Sequence, residues 1–241
     1  MIYCFIPCKY GKFDNVKTNN AMTTDLLEEA LQRPDAYLFI DKLTAALDLE
    51  KATRLHFYEI IEENKKMEFI NGEIVFHSPV ERWHNDATGN VYELLRTYSR
   101  KHKLGYVSIE KLLISLTRND YEPDVCFWKT EKANLFDDEQ MQFPAPNFIA
   151  EVLSPSTAKK DQAEGIKFRD YESHGVLEYW VIDPEKQIVE QYILQEGQYD
   201  LRLKAGEGMI RSEAVAGFAI PIRAIFDEVE NSAVLAGLWQ T

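Results

Sequence analysis

The chain has 241 residues, of which 45% are hydrophobic and 12% aromatic, enough to bury one sizeable core and a small appendage. Its formal net charge of −13 argues against a surface that binds nucleic acid non-specifically, although a local basic cleft can exist within an acidic protein. Three cysteines give no disulfide framework, and no apolar run approaches membrane-spanning length. These features predict a cytoplasmic protein without a membrane segment.

The first 66 residues are predicted to form a partly helical N-terminal extension to a domain that spans residues 67–241. Residues 1 to about 22 have no regular pattern. From residue 25 to residue 63 apolar side chains recur at helical spacing, with a break at Pro34. Helices of this kind pack on the main domain or pair with a second subunit, so they also indicate a homodimer.

A hairpin and a helix open the main domain. Two short strand-like runs, Met67–Ile70 and 73–77, flank an Asn-Gly pair, which favours a tight β-hairpin turn. The polar side chains of this hairpin are interpreted as structural. Residues 84–103 then predict an amphipathic helix with a basic last turn, and Gly105 is predicted to terminate it.

Strands dominate the rest of the domain. The predicted strands are 106–109, 112–116, 124–128, 147–153 and 178–183, followed by an antiparallel pair at 191–194 and 199–203. A loop or short helix at 130–142 and a helix at 160–174 interrupt them. This order predicts an α/β domain of the α+β kind, in which helices pack against a mixed sheet.

Two acidic residues lie in otherwise apolar strands. Asp124 opens the segment DVCFW, and Glu151 lies inside FIAEVL. A buried carboxylate must be paired, hydrogen-bonded or bound to a metal, because a bare buried charge is too costly. Two carboxylates on neighbouring strands suit Mg²⁺ or Mn²⁺, and such an ion lowers the pKa of bound water. The alternative is structural, with Asp124 as a turn or cap residue and Glu151 facing solvent.

Lys167 lies on the helix that follows the second acid. A lysine near the ion can orient or activate the attacking water and steady the developing negative charge. Together the three residues predict a catalytic site in which Asp124 and Glu151 hold the metal and Lys167 assists.

The same segments resemble a known family. The resemblance rests on EPDV, then FIAEVLSPST, then KFRDYESHGVLEYWVIDP, and it extends back to the hairpin and the helix after it. These motifs are similar to those of the Uma2 family of restriction-endonuclease-like proteins, within the PD-(D/E)XK nuclease superfamily. The resemblance implies a restriction-endonuclease-like core of helix, three strands, helix and strand. It also implies that Asp124 and Glu151 are the first and second acids of the motif.

The sequence departs from the superfamily pattern at one position. ExK would place a lysine at position 153, where this chain has Leu153. The resemblance implies that the lysine is displaced onto the next helix as Lys167. The link between Asp161 and Lys167 is slightly longer than the family pattern suggests, which leaves Lys160 or Lys159 as substitutes.

Three further residues are candidates for the site. Glu110, in the strand before Asp124, could contact the metal directly or through water, or instead face solvent or a salt-bridge partner. His84 opens the core helix where a cleft residue can lie, and the alternative is a capping or surface position. Asp161 could reach Lys167 or simply favour the helix N-terminus.

Three functions are compatible with this site. The first is a Mg²⁺-dependent endonuclease in which water attacks a phosphodiester of DNA. The second is a non-cleaving nucleic-acid-binding or regulatory module that keeps the fold, and the acidic balance and the displaced lysine favour it. The third is a metal-dependent hydrolase of another phosphate ester, because the chemistry of such a site does not choose its substrate.

Overall fold

Helices and strands alternate along the described parts of the chain, which are residues 20–62, 65–154 and 165–240 of a computed structural model. The α-helices of these parts are α1 (Asn20–Gln32), α2 (Ala36–Ile60), α3 (Arg82–His102), α4 (Thr130–Ala133), α5 (Ile166–Ser173) and α6 (Glu228–Gln240), with a 3₁₀-helix at Ile222–Ile225. The first strands are β1 (Met67–Ile70), β2 (Glu73–Phe76), β3 (Gly105–Ile109), β4 (Leu113–Ser115), β5 (Asp120–Tyr121), β6 (Val125–Lys129), β7 (Gln142–Phe143) and β8 (Phe148–Val152). The later strands are β9 (Glu178–Asp183), β10 (Ile188–Gln195), β11 (Gln198–Ala205), β12 (Met209–Arg211) and β13 (Ala219–Pro221).

The central sheet has six strands in the order β11-β10-β9-β8-β6-β3. Strands β8 and β9 are parallel and α5 lies between them in the chain, whereas the other neighbouring pairs are antiparallel. The sequence α3, β3, β6, β8, α5, β9 is the helix, three strands, helix and strand that the resemblance implied. The predicted α/β fold class with a restriction-endonuclease-like core is therefore confirmed.

Helix α3 packs on one face of the central sheet. Its apolar stripe, which includes Val91 and Leu94, meets Val125 and Phe127 of β6 and Ala150 of β8. Because successive side chains of a strand alternate between faces, the intervening residues of β6 and β8 belong to the opposite face. Helical periodicity thus fixes one layer of the core, and strand alternation leaves the other face for a second layer.

The second layer contains α5 and a five-stranded sheet with the order β2-β1-β5-β4-β7. Its apolar cluster joins Ile149 of β8 and Tyr179 of β9 to Tyr171 of α5, Ile114 of β4 and Tyr121 of β5. The hairpin is confirmed, with Asn71 and the next residue in its turn. This packing brings β1 to the end of the central sheet at which β6 begins and β8 ends.

The N-terminal helices are confirmed, with α1 beginning at Asn20 and a break around Pro34. The last turns of α2 pack on the domain: Phe57 is fully buried against β1, and Arg54 makes two hydrogen bonds of 2.6 and 2.9 Å to the buried carboxylate of Asp120. Farther from the domain these helices expose large apolar side chains, among them Leu26, Leu27, Leu31, Tyr37, Leu38, Ile40 and Leu49. The domain boundary at residue 66 stays a prediction.

The end of α3 differs from the prediction. Lys103 adopts the left-handed conformation (φ 54°) that closes the helix, and Gly105 instead opens β3 with φ 156°. Glycine is required there because a Cβ would lie 1.9 Å from the carbonyl oxygen of Trp128. Several elements were not predicted, namely β5, β7, β12, β13, the 3₁₀-helix and α6.

Candidate functional site

Asp124 and Glu151 meet at one end of the central sheet. Strands β6 and β8 are antiparallel with Val125 opposite Ala150, so this register brings the residue before Val125 beside the residue after Ala150. Both carboxylates are buried, with exposures of 2% for Asp124 and 1% for Glu151. The alternative in which Glu151 faces solvent is therefore wrong, whereas burial alone does not decide whether Asp124 is a turn or cap residue.

The two carboxylate oxygens of Asp124 have different partners. Oδ1 accepts a hydrogen bond from Nζ of Lys66 at 2.6 Å. Oδ2 accepts the backbone N–H of Val152 at 2.8 Å and lies 3.4 Å from Nε2 of His84. Burial by itself would raise the pKa of Asp124, but the Lys66 ammonium and the His84 ring hold it well below its usual range. Asp124 is thus held as an anion.

Glu151 is paired with Lys167. Oε1 of Glu151 accepts a hydrogen bond from Nζ of Lys167 at 3.0 Å and another from the hydroxyl of Tyr171 at 2.9 Å. Lys167 and Tyr171 lie on the same face of α5, four residues apart, and both are almost fully buried. The first turn of α5 therefore brings the predicted lysine to the predicted carboxylate.

Glu68 is a third buried acid of this site, and the sequence analysis missed it. Its side chain is inaccessible to solvent, and its Oε1 lies 2.9 Å from Nζ of Lys167. His77 contacts Oε2 at 2.9 Å, and the backbone N–H of Glu122 donates to Oε1 at 3.1 Å. Burial would raise the pKa of Glu68, but the Lys167 ammonium and the His77 ring lower it to about 2.

A local signal for Glu68 existed. It lies within MEFI, a strand whose four residues are all buried, just as Glu151 lies within FIAEV. The rule that flagged one acid in an apolar strand would have flagged the other. Lys66 had no such signal, because it precedes the strand in a polar segment and only the fold brings it to Asp124.

The carboxylate cluster is the set formed by Glu68, Asp124 and Glu151 with the ammonium groups of Lys66 and Lys167. Three carboxylates face two ammonium groups in this cluster, so the acids outnumber the lysines by one. Within the described ranges no three Asp, Glu, His or Cys side chains are grouped closely enough to hold a metal ion by themselves. Mg²⁺, however, keeps several waters and commonly uses only one or two carboxylates. The hard oxygen donors, with more carboxylates than ammonium groups, therefore fit a divalent cation at Asp124 and Glu151.

Helix α5 is anchored to the second sheet one turn after Lys167. The carboxylate of Asp170 accepts hydrogen bonds from Nδ2 of Asn119 at 2.7 Å and from the hydroxyl of Tyr121 at 2.8 Å, and it pairs with Nδ1 of His174 at 3.0 Å. These contacts fix the rotation of a helix of only eight residues. They hold the face that carries Lys167 against the carboxylate cluster.

The other sequence candidates have different outcomes. His84 is buried, at 3% exposure, and reaches Asp124, so its surface alternative is wrong; its Nδ1 has no hydrogen-bond partner among the described residues. Glu110 is half-buried and has a positive φ of 45°, and its backbone N–H donates to the carbonyl of Asp124 at 2.9 Å. No described residue forms a hydrogen bond or ion pair with the Glu110 side chain, so it stays a neighbour of the site by its backbone alone.

The remaining candidates concern the lysine position. Asp161, Lys159 and Lys160 lie outside the described residues. Leu153, which stands where ExK would have a lysine, is half-buried beside the apolar cluster of the second layer. Lys167 is thus the described α5 lysine that contacts Glu151.

Comparison with known proteins agrees with this architecture. The model of a family described as "Putative restriction endonuclease", Uma2, matches residues 49–223. An uncharacterised protein of Synechocystis sp. (strain ATCC 27184 / PCC 6803 / Kazusa) is 35% identical over 131 residues, which are 53% of this chain and 72% of that protein.

The crystal structure of "a putative nuclease belonging to DUF820" from Anabaena variabilis ATCC 29413 shares the fold. Its TM-score is 0.59 at 17% identity, over 74% of this chain and 96% of that one. In the part of the chain that the structure describes, no helix is both long and apolar enough to cross a membrane. The family match covers well over half of the sequence, and the chain therefore belongs to the Uma2 family.

Proposed function

We propose that this protein is a Mg²⁺- or Mn²⁺-dependent endonuclease that hydrolyses phosphodiester bonds of DNA. The observation that carries the proposal is that Asp124 and Glu151 are buried side by side at one end of the central sheet, with Lys167 paired to Glu151. The description of the Uma2 family and that of the Anabaena neighbour as a nuclease support the reaction class. The net charge of −13 argues against a broad basic face that binds nucleic acid, so the proposal depends on this one site.

In this proposal Asp124 and Glu151 are the metal ligands. When bound, a divalent cation supplies positive charge that stabilises the negative charge developing on a phosphodiester and lowers the pKa of water. His84 and the Val152 N–H hold Oδ2 of Asp124, which orients the carboxylate through its second oxygen.

In this proposal Lys167 is the cation that assists beside the metal site. Its ammonium is buried between Glu68 and Glu151, so its charge is already desolvated and its position is set before substrate arrives. Tyr171 shares the same Glu151 oxygen and limits the movement of that side chain. A fixed ammonium at this point can hydrogen-bond a phosphate oxygen or orient the attacking water. Glu110 and Asp161 remain candidates for a supporting role.

The test is cleavage of supercoiled plasmid with Mg²⁺ or Mn²⁺. We expect wild type to nick or linearise the plasmid, Asp124→Asn and Glu151→Gln to be inactive, and Lys167→Met to lose about 10²–10³-fold in rate. Glu213→Gln, which changes an exposed carboxylate that pairs with Arg202, is the matched control and should cut like wild type. If plasmid cleavage persists in both carboxylate variants, the proposed mechanism is wrong.

A non-cleaving nucleic-acid-binding or regulatory module is the second candidate. Two observations favour it: the superfamily lysine position holds Leu153, and one oxygen of Asp124 already has a cationic partner in Lys66. Tight DNA binding without cutting under any metal condition would support this module. Hydrolysis of a small phosphate ester but not of DNA would instead support a hydrolase with another substrate.

We further propose that the protein is a cytoplasmic homodimer assembled through α1 and α2. Support comes from the large apolar side chains that these helices expose, since contiguous apolar patches of this kind mark interaction surfaces. Light scattering after size-exclusion chromatography tests it. We expect a dimer mass for wild type and a monomer mass for the double variant Leu31→Glu with Leu38→Glu; a wild-type monomer contradicts the proposal.

A further inference from the structure

The partners of Asp124 differ in how easily they can leave. The Val152 N–H is part of the backbone at the end of β8, and His84 is fixed in the first turn of α3. Lys66, by contrast, lies on the short segment between α2 and β1, and its flexible stem carries the ammonium to Oδ1. Oδ1 is therefore the oxygen of Asp124 whose partner can be exchanged.

Lys66 also differs from Lys167 in its access to solvent. The side chain of Lys66 is 22% exposed and that of Lys167 is 1% exposed. Among the described residues Asp124 supplies the one hydrogen bond of the Lys66 ammonium, whereas Lys167 is shared by Glu68 and Glu151. Moving Lys66 into water thus breaks one contact and requires no opening of the core.

A divalent ion bound at Oδ1 would lie within a few ångströms of the Lys66 ammonium, and like charges at such a distance repel strongly where there is little solvent. We propose that Lys66 is a built-in counter-cation of Asp124, and that a divalent ion binds this site only by displacing the Lys66 ammonium from Oδ1. The proposal rests on the metal site in the proposed function and adds its regulation: the chain supplies a competitor that lowers metal affinity and keeps Asp124 neutralised without metal.

The experiment is Mn²⁺ binding measured by isothermal titration calorimetry, which needs no cleavage. Lys66→Met removes the competitor, and we expect Mn²⁺ to bind about tenfold more tightly, within the usual range of coupling between two ligands of one site. Lys66→Arg replaces the ammonium with a guanidinium that pairs more firmly with a carboxylate, and we expect weaker Mn²⁺ binding than in wild type. Unchanged or weaker binding in Lys66→Met overturns the proposal.

A matched control is available at Lys186. Its ammonium also lies 2.6 Å from an aspartate oxygen, that of Asp183, but its side chain is 68% exposed. Lys186→Met makes the same charge change and should leave Mn²⁺ affinity at the wild-type value. If it tightens binding as much as Lys66→Met, the effect is one of net charge and the proposal fails. Lys66→Arg keeps the test valid should Lys66→Met be poorly folded by circular dichroism.

Asp124→Asn separates failure of this inference from failure of the proposed function. If wild type binds Mn²⁺, Asp124→Asn abolishes that binding and Lys66→Met does not change it, the metal site stands and the counter-cation is refuted. If neither wild type nor Lys66→Met binds Mn²⁺, or if Asp124→Asn binds it normally, the metal site itself is refuted and the inference with it.

Discussion

Removing the ammonium of Lys167 is the most informative single perturbation of the carboxylate cluster. Lys167→Met keeps an unbranched side chain of similar length and removes the charge. The ammonium is 1% exposed and lies 2.9 Å from Glu68 and 3.0 Å from Glu151. Breaking a buried ion pair on one side costs about 3–5 kcal/mol, because the other charge stays buried without its partner. Since whole domains are stable by about 5–15 kcal/mol, we expect a large loss in the free energy of unfolding at neutral pH.

The loss should depend on pH in a defined direction. In wild type the pKa of Glu68 is depressed to about 2, so its contribution to stability is complete above the unfolded pKa and is lost as pH falls toward 2. Without the ammonium, burial is opposed only by the His77 ring and Lys66, and we expect the pKa of Glu68 to rise above its unfolded value. That raised pKa makes the variant lose stability as pH rises. The deficit of Lys167→Met relative to wild type is therefore smaller at pH 4.5 than at pH 7.5.

Urea unfolding at these two pH values, followed by tryptophan fluorescence, measures the deficit directly. Trp128 and Trp180 are both buried and serve as reporters. Adding Glu68→Gln to Lys167→Met removes one of the uncompensated charges and should recover part of the loss at pH 7.5. Equal deficits at both pH values, or no recovery in the double variant, refute the reasoning.

Four further changes test the fold by the same urea assay. Glu178 is fully buried and accepts five hydrogen bonds from neutral donors. Glu178→Gln places an amide N–H₂ group against some of these donors, so we expect the free energy of unfolding to fall by about 1–3 kcal/mol. An unchanged urea midpoint would contradict this hydrogen-bond network. Gly105→Ala should destabilise the protein by about 2 kcal/mol or more, because residue 105 has a positive φ and a Cβ there would clash with the backbone of Trp128. Gly89→Ala should instead stabilise the protein by about 0.5–1 kcal/mol, because Gly89 lies within α3 and a Cβ there meets no other atom. Arg54→Met removes the guanidinium that pairs with the buried carboxylate of Asp120, and we expect the free energy of unfolding to fall by about 3 kcal/mol. A negligible change would mean that α2 contributes little to the stability of the domain.

Much of the fold could be predicted because its signals are local. The hairpin has an Asn-Gly turn between two short runs, α3 has a strong apolar stripe, and β9 ends at a proline. The elements that were missed have little local pattern. β5 has two residues, and α6 has no segregation of apolar side chains on one face, so only their tertiary contacts stabilise them.

The residues of the site also divide into those with a local signal in the sequence and those without one. Asp124 and Glu151 were visible because a carboxylate among apolar residues is anomalous wherever it folds, and Glu68 had the same signal. His84 could be named from its place at the start of α3 but not given a partner. Lys66 could not be found from the sequence, because its contact with Asp124 joins residues 58 positions apart through the packing of the second sheet.

Hydrophobicity and periodicity are properties of short segments, so the sequence predicts one acid at the start of β6, a second acid within β8 and a lysine on the next helix. The burial of those acids and the charges that neutralise them depend on contacts between remote segments. Sheet register sets Asp124 beside Glu151, and the anchoring of α5 and of β1 brings Lys167, Glu68 and Lys66 to them. Electrostatic pairing depends on distances of a few ångströms, and no pattern along the chain specifies such distances between remote segments.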